Sequence, residues 1–481
     1  MKNRILILTL TLLFLLSPLS VFAQGETMLN ETSAAASALE ASLYPAGKIA
    51  GEAKLAFEYH PDEQEELDDP PAIGSKAVYI ADPVSGKVFF EKNAHKKMYP
   101  ASTTKLLTAL LVLENCSLDE TATVSRRAVN LVPEGYVRAN LQPGEQLSVR
   151  DLLYALLIPS ANDAAFVLAE HVGGSVARFA KLCNRRAKEL GCEKLHFVNP
   201  NGIHSADHYC TAYDLFLLAQ ACAQFETFNE IVQTRSFSLP ATNAYANTDR
   251  QFQNTNQLLN TASPYYYAGC TGGKTGFTNE AGQCMVSGCM KDELRVISVV
   301  LGGQIIGSDN QRFSDTVKLF DFVYNHYAYK VLAQRQTPLA SVTVDKATKD
   351  TAALDVVIGT DVACVAPNEI TPDNVDLQIS LPEKLKAPIK ENQVLGTATW
   401  RVDGLVYATN LLASHEVEKK PYWLFNLLVL LVLLAILLFI RAVWVQREKD
   451  RRRQELLRRR HQQQMQQRRQ AKNQQDIRFR R

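Results

Sequence analysis

The order of hydrophobic and polar residues predicts both strands and helices in the middle of the chain. Two β-rich runs in 76–93 (KAVYIADPVSGKVFFEKN) flank the four residues PVSG (83–86), whose types predict a hairpin turn. In 176–190 (VARFAKLCNRRAKEL), apolar residues return at helical spacing on one face, and Gly191 predicts the end of the helix. The continuous β-branched run 294–303 (LRVISVVLGG) is typical of a buried central strand.

The region from 338 to 415 carries signals for short strands only. In 375–381 (VDLQISL) apolar and polar residues alternate, which predicts a strand with one buried face. Asp403-Gly404 lies between two apolar runs and predicts a two-residue hairpin turn. We therefore expect an α/β domain over residues 72–333, followed by a small all-β domain over residues 338–415.

Two further apolar runs predict export and membrane insertion. Residues 1–23 combine basic residues, an apolar run and small residues before position 24, the pattern of a secretory signal peptide cleaved after Ala23. Residues 24–71 are rich in Ala, Ser and Glu and predict a flexible, acidic spacer. Residues 422–440 carry no charge over a length that crosses a bilayer of about 30 Å, so they predict a transmembrane helix.

The formal net charge of +2 hides a strong separation between segments. Residues 441–481 contain 15 Lys and Arg against 4 Asp and Glu, so the preceding chain is acidic on balance. Positive flanks stay on the cytoplasmic side, so we expect a single-pass protein of the cell membrane, with an extracytoplasmic ectodomain and a cytoplasmic tail. Because the tail has almost no aromatic residues and follows the membrane helix directly, we interpret it as a topology determinant that touches anionic lipid. We expect no nucleic-acid partner.

Nine cysteines in an exported chain raise the question of disulfides. They are scattered, with no C-x-x-C pair, and the sequence does not choose among the possible bridges. Those bridges are Cys183 with Cys192, and Cys270 with Cys284 or Cys289. In reducing surroundings the same cysteines would be small buried apolar residues. They predict no metal site, and we expect no cofactor.

The first chemical signal is a lysine in an apolar helix. Ser102 and Lys105 are three residues apart, so on a helix they project from the same side. Ser102 lies at the helix start, where free N–H groups favour developing negative charge. Lysine can act as the base for a serine hydroxyl when it is desolvated and close to another cation, and leucines crowd Lys105. Alone, S-x-x-K is a weak signal, which an N-cap serine and a surface lysine also produce.

Two further elements strengthen the signal. Ser160-Ala161-Asn162 follows an apolar run and precedes a helical one, which presents a hydroxyl and an amide at a loop-to-helix junction. Lys274-Thr275-Gly276 lies between glycines that allow close approach of a ligand and a β-rich run. Serine, lysine, hydroxyl, amide and second lysine thus occur in order along the chain.

With these motifs the chain resembles the D-alanyl-D-alanine carboxypeptidases, the low-molecular-mass serine penicillin-binding proteins. The middle element is S-A-N where the wider superfamily has S-D-N, and VNPNGIHSADHYCTAYDLFLLA and NTNQLL are also similar to the family. The resemblance covers roughly residues 72–414. It implies an α/β (α+β) fold of the serine β-lactamase and penicillin-binding-protein type, with the small all-β domain and the transmembrane helix after it.

The resemblance also implies a role for each motif residue. Ser102 would be the acylated nucleophile, Lys105 its base, and Ser160 the relay of a proton to the leaving nitrogen. The remaining site residues would bind the peptidoglycan stem peptide or tune Lys105: Asn162, Lys274, Thr275, Gly276, Phe277 through its backbone N–H in the oxyanion hole, and Arg312. The expected substrate ends in D-Ala-D-Ala, and β-lactam antibiotics are the expected inhibitors. Some relatives have histidine after K-T-G, where this chain has Phe277.

Four alternatives remain at this point. A class A β-lactamase would need a glutamate for deacylation, and 195–210 contains none, so we expect penicillin to inhibit and not to be consumed. A DD-endopeptidase acting on cross-links shares every motif. A non-catalytic peptidoglycan-binding or β-lactam-binding membrane sensor would be indicated by a degraded motif, and none is degraded. A metal enzyme could use His204 and His208, although we favour structural hydrogen bonds for these histidines.

Overall fold

The structure is a computed structural model that describes residues 70–246 and 250–478, without the side chains of 472–478. The predicted signal peptide and nearly all of the predicted spacer lie outside the described residues. The chain divides into two compact units. Of the described residues, the first unit comprises those up to Thr337 together with Ile358–Ser380 and Gly396–Asn410. The second comprises Pro338–Val357, Leu381–Leu395 and the described residues from Leu411 onward.

The described residues form eighteen strands and nine α-helices. The strands are β1 (Ala77–Ala81), β2 (Val88–Lys92), β3 (Thr121–Thr123), β4 (Gln146–Ser148), β5 (Ser236–Ser238), β6 (Gln251–Gln253), β7 (Cys270–Thr278), β8 (Gly282–Lys291), β9 (Leu294–Gly303), β10 (Ile305–Ile306), β11 (Asp309–Asn310), β12 (Tyr327–Ala333), β13 (Pro338–Thr343), β14 (Ala353–Ile358), β15 (Val362–Pro367), β16 (Asp376–Ser380), β17 (Val394–Val402) and β18 (Leu405–Ala413). The helices are α1 (Lys105–Asn115), α2 (Arg126–Asn130), α3 (Val149–Leu157), α4 (Asn162–Gly173), α5 (Val176–Glu189), α6 (Ala212–Ala223), α7 (Glu226–Gln233), α8 (Gln311–His326) and α9 (Trp423–Arg478).

The first unit is built on a five-stranded antiparallel sheet in the order β2-β1-β9-β8-β7. The predicted hairpin of β1 and β2 and the predicted central strand β9 are confirmed. Alternate side chains of the sheet enter two cores. One core contains residues of α1, α3, α4 and α6, and the other contains residues of α8. Both faces of β9 are therefore covered, which explains its continuous apolar sequence.

The predicted helix after Ser175 is α5, and its apolar face is buried as expected. The Ser175 hydroxyl accepts a hydrogen bond from the backbone N–H of Arg178, which caps the first turn. Phe179 and Cys183 are buried, and Gly191 follows the helix in the left-handed region at φ +87°. The turn that precedes α1 lies against β7, the strand at the edge of the sheet, as described below.

The described part of residues 327–413 contains strands β12 to β18 and no helix. Within the first unit β12 pairs with β15, and β16 pairs with β17. The Asp403-Gly404 turn between β17 and β18 is confirmed, with φ +49° and +76° at its two residues, as a type I′ turn requires. The second unit contains the β13–β14 pair and α9.

The prediction for β16 was wrong in one respect. Its alternating sequence predicted one buried face, but all five residues of the strand are exposed, including Leu377 and Ile379. β16 is an edge strand that hydrogen-bonds to β17 on one side. Because neither of its faces is covered, the alternation produces an exposed apolar stripe.

The C-terminal apolar run lies in α9, a single helix of 56 residues. It is the one helix within 70–246 and 250–478 that is long and apolar enough to cross a membrane, judged by length and composition. The helix continues without a break through the arginine-rich residues after position 440.

Candidate active site

Ser102 lies in a short 3₁₀ turn, Ala101–Thr104, which leads directly into α1. The hydroxyls of Thr103 and Thr104 donate to the carbonyls of Pro100 and Ala101 at 2.7 and 2.8 Å, so both threonines are used to hold the turn. Ala101 adopts φ +49°, which is unfavourable for a residue with a Cβ. The sequence predicted Ser102 at a helix start, and the structure places it in the tighter turn that precedes the α-helix.

Lys105 is completely buried at the first position of α1. Its Nζ lies 3.0 Å from Ser102 Oγ, 2.9 Å from Asn162 Oδ1 and 3.0 Å from the Asn201 carbonyl. Burial lowers the pKa of Lys105 well below its ordinary value, and the positive charge of Lys274 lowers it further, against an opposing effect of Asp163. A neutral amine beside a hydroxyl can accept the hydroxyl proton, so this pair has the geometry of a nucleophile and its base, and the lowered pKa of Lys105 favours the neutral amine.

The S-A-N motif reaches Lys105 from the start of α4. Asn162 Nδ2 donates to the Val137 carbonyl at 2.9 Å, which leaves the amide oxygen facing Lys105. Ser160 adopts φ +69°, and its buried Oγ makes no hydrogen bond to another described residue. A hydroxyl that no neighbouring protein group occupies is free to bond a ligand.

Asp163 is a buried acidic residue that the sequence reasoning missed. Its carboxylate accepts hydrogen bonds from the backbone N–H groups of Ala139 and Leu141 at 2.9 and 3.1 Å. These bonds fix the loop whose Val137 carbonyl orients Asn162. The only sequence signal for it was an acidic residue in the first turn of a helix, which is common.

The K-T-G motif lies on edge strand β7 beside the serine turn. A Cβ placed on Gly276 would come within 2.9 Å of Ser102 N and 3.0 Å of the Pro100 carbonyl, so glycine is needed for this close approach. Lys274 is almost fully buried, and burial together with the charge of Arg312 lowers its pKa from 10.5 to about 7. Phe277 is 54% exposed, so its ring is open to solvent at the same edge.

Thr275 connects the K-T-G strand to the loop before Ser160. Its hydroxyl lies 2.6 Å from that of Thr255, and the Thr255 backbone N–H donates to the Ile158 carbonyl at 3.3 Å. The structure thus joins the second and third motifs through a residue, Thr255, that sequence reasoning did not single out. Thr275 itself is buried.

Arg312, in the first turn of α8, lies behind the K-T-G strand. Its Nη1 donates to the Gly276 carbonyl at 3.3 Å, and its Nε has no hydrogen-bond partner among the described residues. Burial lowers the pKa of Arg312 to about 10. Its positive charge acts on Lys274 from this position.

His208 is structural, as the sequence analysis favoured. Its Nδ1 accepts from the Val198 backbone N–H at 3.1 Å, and its Nε2 lies 2.8 Å from the Thr104 hydroxyl. The Phe197 ring stacks on the imidazole at 4.5 Å. Burial lowers the pKa of His208 to about 3, so the ring is neutral near pH 7. Both ring nitrogens are engaged, which removes His208 from the metal-enzyme alternative.

The chain matches known proteins across both of its folded regions. The D-alanyl-D-alanine carboxypeptidase family matches residues 64–305, and the C-terminal domain of penicillin-binding protein 5 matches residues 327–419. The chain is 30% identical over 353 residues to the D-alanyl-D-alanine carboxypeptidase DacF of Bacillus subtilis (strain 168), covering 72% of this chain and 86% of that protein. It is 29% identical over 370 residues to DacC of Escherichia coli (strain K12), covering 75% and 88%.

A solved structure gives the same fold. Penicillin-binding protein 5 from Haemophilus influenzae superimposes with a TM-score of 0.57 at 23% identity, over 73% of this chain and 100% of that one. The α/β catalytic domain and the following all-β domain are thus of this type. On these matches, the chain belongs to the D-alanyl-D-alanine carboxypeptidase family and is a serine peptidase.

Proposed function

We propose that the protein removes the terminal D-alanine from peptidoglycan stem peptides that end in D-Ala-D-Ala, through an acyl-enzyme on Ser102. One observation carries this proposal. Lys105 is buried with a depressed pKa, and its Nζ lies 3.0 Å from the Ser102 hydroxyl. Family membership supports this substrate class, because the matched relatives are named D-alanyl-D-alanine carboxypeptidases.

Acylation begins when neutral Lys105 accepts the proton of Ser102 Oγ. The oxygen attacks the carbonyl carbon of the penultimate D-alanine, and the developing oxyanion receives hydrogen bonds from the backbone N–H groups of Ser102 and Phe277. The proximity of Gly276 to Ser102 N supports this pairing of donors. The peptide C–N bond then breaks, and Ser160 passes a proton from Lys105 to the leaving nitrogen. Water hydrolyses the ester and restores the serine.

Groups on and behind β7 bind the substrate carboxylate. Lys274 and Arg312 supply positive charge, and the Thr275 hydroxyl supplies a hydrogen bond. Gly276 admits the substrate backbone along the strand, and Asn162 binds the substrate amide while it orients Lys105. The contact of Arg312 Nη1 with the Gly276 carbonyl supports its assignment to this group.

β-Lactams imitate the scissile peptide and should acylate the same serine. The segment 195–210, which forms part of the site through the Asn201 carbonyl, has no glutamate to activate a deacylating water. The penicilloyl ester should therefore persist, and penicillin should inhibit the enzyme.

The proposed organisation follows the sequence. Residues 1–23 serve as signal peptide, 24–71 as spacer, 72–333 as catalytic domain and 338–415 as the small β domain. Residues 422–440 anchor the protein as a single membrane span, and the basic residues 441–481 lie in the cytoplasm. The length and composition of α9 support the anchor, and the charge separation supports the orientation.

The test uses the purified full-length protein with fluorescent penicillin and with a pentapeptide ending in D-Ala-D-Ala. We expect labelling of Ser102 and release of D-alanine, and loss of both in Ser102→Ala. Ser117→Ala, in an exposed loop after α1, is the matched control and should retain both. Labelling without release of D-alanine would favour the sensor, and release only from cross-linked dimers would favour the endopeptidase.

A further inference from the structure

Two cysteines face each other at the start of the strand that carries the K-T-G motif. Cys270 begins β7 and pairs in register with Cys289 on β8. Lys274 follows on the same strand after the glycine pair Gly272-Gly273. The pairing of two thiols at this point raises the question of whether they can form a bond.

The hydrogen bonds around the pair identify its type. The Met290 N–H donates to the Gly269 carbonyl at 2.9 Å, which is the bond that flanks a non-hydrogen-bonded pair in an antiparallel ladder. The Cys270 N–H donates to the Tyr267 carbonyl at 3.2 Å and so is not bonded to Cys289. Side chains at such positions are the closest across two strands, with Cα atoms about 4.5 Å apart, within the range that a disulfide spans.

The two side chains also share a face of the sheet. Cys289 is part of the core under α8, and Cys270 packs against that same core. Cys284, the other partner that the sequence allowed for Cys270, lies in the core on the opposite face of the sheet, opposite Gly276. The geometry therefore selects Cys289 over Cys284.

We infer that Cys270 and Cys289 are a disulfide-forming pair that closes when the protein meets a disulfide-bearing oxidant. The thiolate of the partly exposed Cys270 attacks the oxidant, forms a mixed disulfide and releases one thiolate. The Cys289 thiolate then attacks Cys270 Sγ and displaces the second thiolate. The two cysteine protons end on the two thiols released, so the oxidant is reduced by two electrons as the pair is oxidised.

Closure would be slow at neutral pH and faster in alkali. Burial raises the pKa of both thiols, that of Cys289 to about 11, so few molecules hold a reactive thiolate at pH 7. Cys289 is also almost inaccessible, which makes Cys270 the first thiol to react.

The bond would act on the K-T-G strand. Gly272 and Gly273, between Cys270 and Lys274, adopt φ +89° and +144°, and only glycine adopts these backbone conformations easily. A bond between Cys270 and Cys289 would link the start of β7, before Gly272, to β8 in the interior of the sheet. It would reduce opening of β7 from β8 and so raise thermal stability.

The test incubates the purified full-length protein with oxidised glutathione at pH 8.5, alkylates free thiols under denaturing conditions and maps peptides without reduction. We expect a Cys270–Cys289 linked peptide and a rise in Tm of roughly 5–10 °C that reduction reverses. Cys284→Ser should keep both results, whereas Cys270→Ser and Cys289→Ser should each lose both. Cys270 is only partly buried, so its serine variant is the one expected to fold normally.

Two outcomes would overturn the inference. One is alkylation of both thiols after oxidation of a folded protein. The other is a linked peptide that joins Cys270 to a cysteine other than Cys289. Because the readouts are a covalent bond and a melting temperature, they are independent of whether the peptidase activity is as proposed.

Discussion

The Asn162 side-chain oxygen accepts a 2.9 Å hydrogen bond from Lys105 Nζ, while its Nδ2 is held by the Val137 carbonyl. The amide is thereby fixed with a neutral acceptor toward the lysine. A carboxylate at this position would have the same shape but would stabilise the ammonium form of Lys105. The choice of asparagine thus matches the need for a lysine that is uncharged at working pH.

Asn162→Asp should therefore raise the pKa of Lys105 and move the acid limb of the acylation profile to higher pH. At neutral pH we expect acylation by penicillin to fall by about 10- to 1000-fold, with partial recovery in alkali. The measurement is the acylation rate from pH 6 to 10. Asn162→Ala is the control, because it loses orientation without adding charge and should lower the rate with little shift. An unshifted limb in Asn162→Asp would contradict the role of Lys105 as base.

Arg312 should determine the pH at which kcat/KM falls on the alkaline side, because its charge lowers the pKa of Lys274. The pKa of Lys274 is about 7, and the charge of Arg312 is one cause of its depression. Lys274 is cationic below this pKa and neutral above it, so attraction of the substrate carboxylate should weaken as pH rises through about 7. In Arg312→Gln we expect the alkaline limb of kcat/KM to move to higher pH, although KM rises throughout. A limb that moves to lower pH would contradict this electrostatic coupling.

The buried His208 should make the stability of the first unit depend on pH. Its pKa is about 3 when folded and about 6.5 when unfolded, so below pH 6.5 the unfolded chain binds a proton that the folded protein does not. Above pH 6.5 the ring is neutral in both states, so His208 does not make the free energy of unfolding depend on pH. As the pH falls from 6.5 toward 3, the free energy of unfolding decreases by about 1.4 kcal/mol per pH unit.

His208→Gln should be less stable than the parent at pH 8, because it loses the stacking on Phe197. The difference in Tm between parent and variant should shrink as the pH is lowered from 6.5 to 4. Parallel Tm curves over this range would show that His208 does not titrate between the folded and unfolded states.

Lys87 and Asp403 form a buried ion pair between the β1–β2 turn region and the β17–β18 turn, with Nζ and Oδ2 2.7 Å apart. Asn-Gly suits a type I′ turn as well as Asp-Gly does, so Asp403→Asn should preserve the turn but leave the Lys87 charge unpaired. We expect a loss of about 3 kcal/mol in the free energy of unfolding.

The double variant Lys87→Met with Asp403→Asn should recover most of that loss, because no buried charge then remains. Denaturant unfolding of the parent, both single variants and the double variant measures the coupling. Additive effects of the two changes would show that the ion pair contributes no interaction energy.

Much of the candidate site could be predicted from the spacing of residues within the motifs. A spacing of three positions from Ser102 to Lys105 is enough to put both groups on one side of a helical turn. The crowding of leucines around Lys105 indicated that the lysine is buried. The sequence also predicted β9, because a strand covered on both faces needs apolar residues at every position. Each of these features depends on residues that are close together in the sequence, so a local pattern is enough to predict it.

The remaining features depend on distant contacts. The Asn201 carbonyl is a partner of Lys105, but any residue has a carbonyl, so no side-chain pattern marked it. Thr255 and Asp163 matter through the segments that they join. For β16, alternation showed that one face was apolar but carried no information on whether another element would cover it.

Ser160 stands in the left-handed region at φ +69°, where a side chain is disfavoured. Folding therefore costs energy to hold the Ser160 hydroxyl in a conformation that residues with a Cβ rarely adopt. Ser160→Gly would relieve the backbone strain and raise the free energy of unfolding, but it would also remove the hydroxyl. With Ser160 as the proton relay proposed above, selection for stability and selection for turnover oppose each other at this one residue.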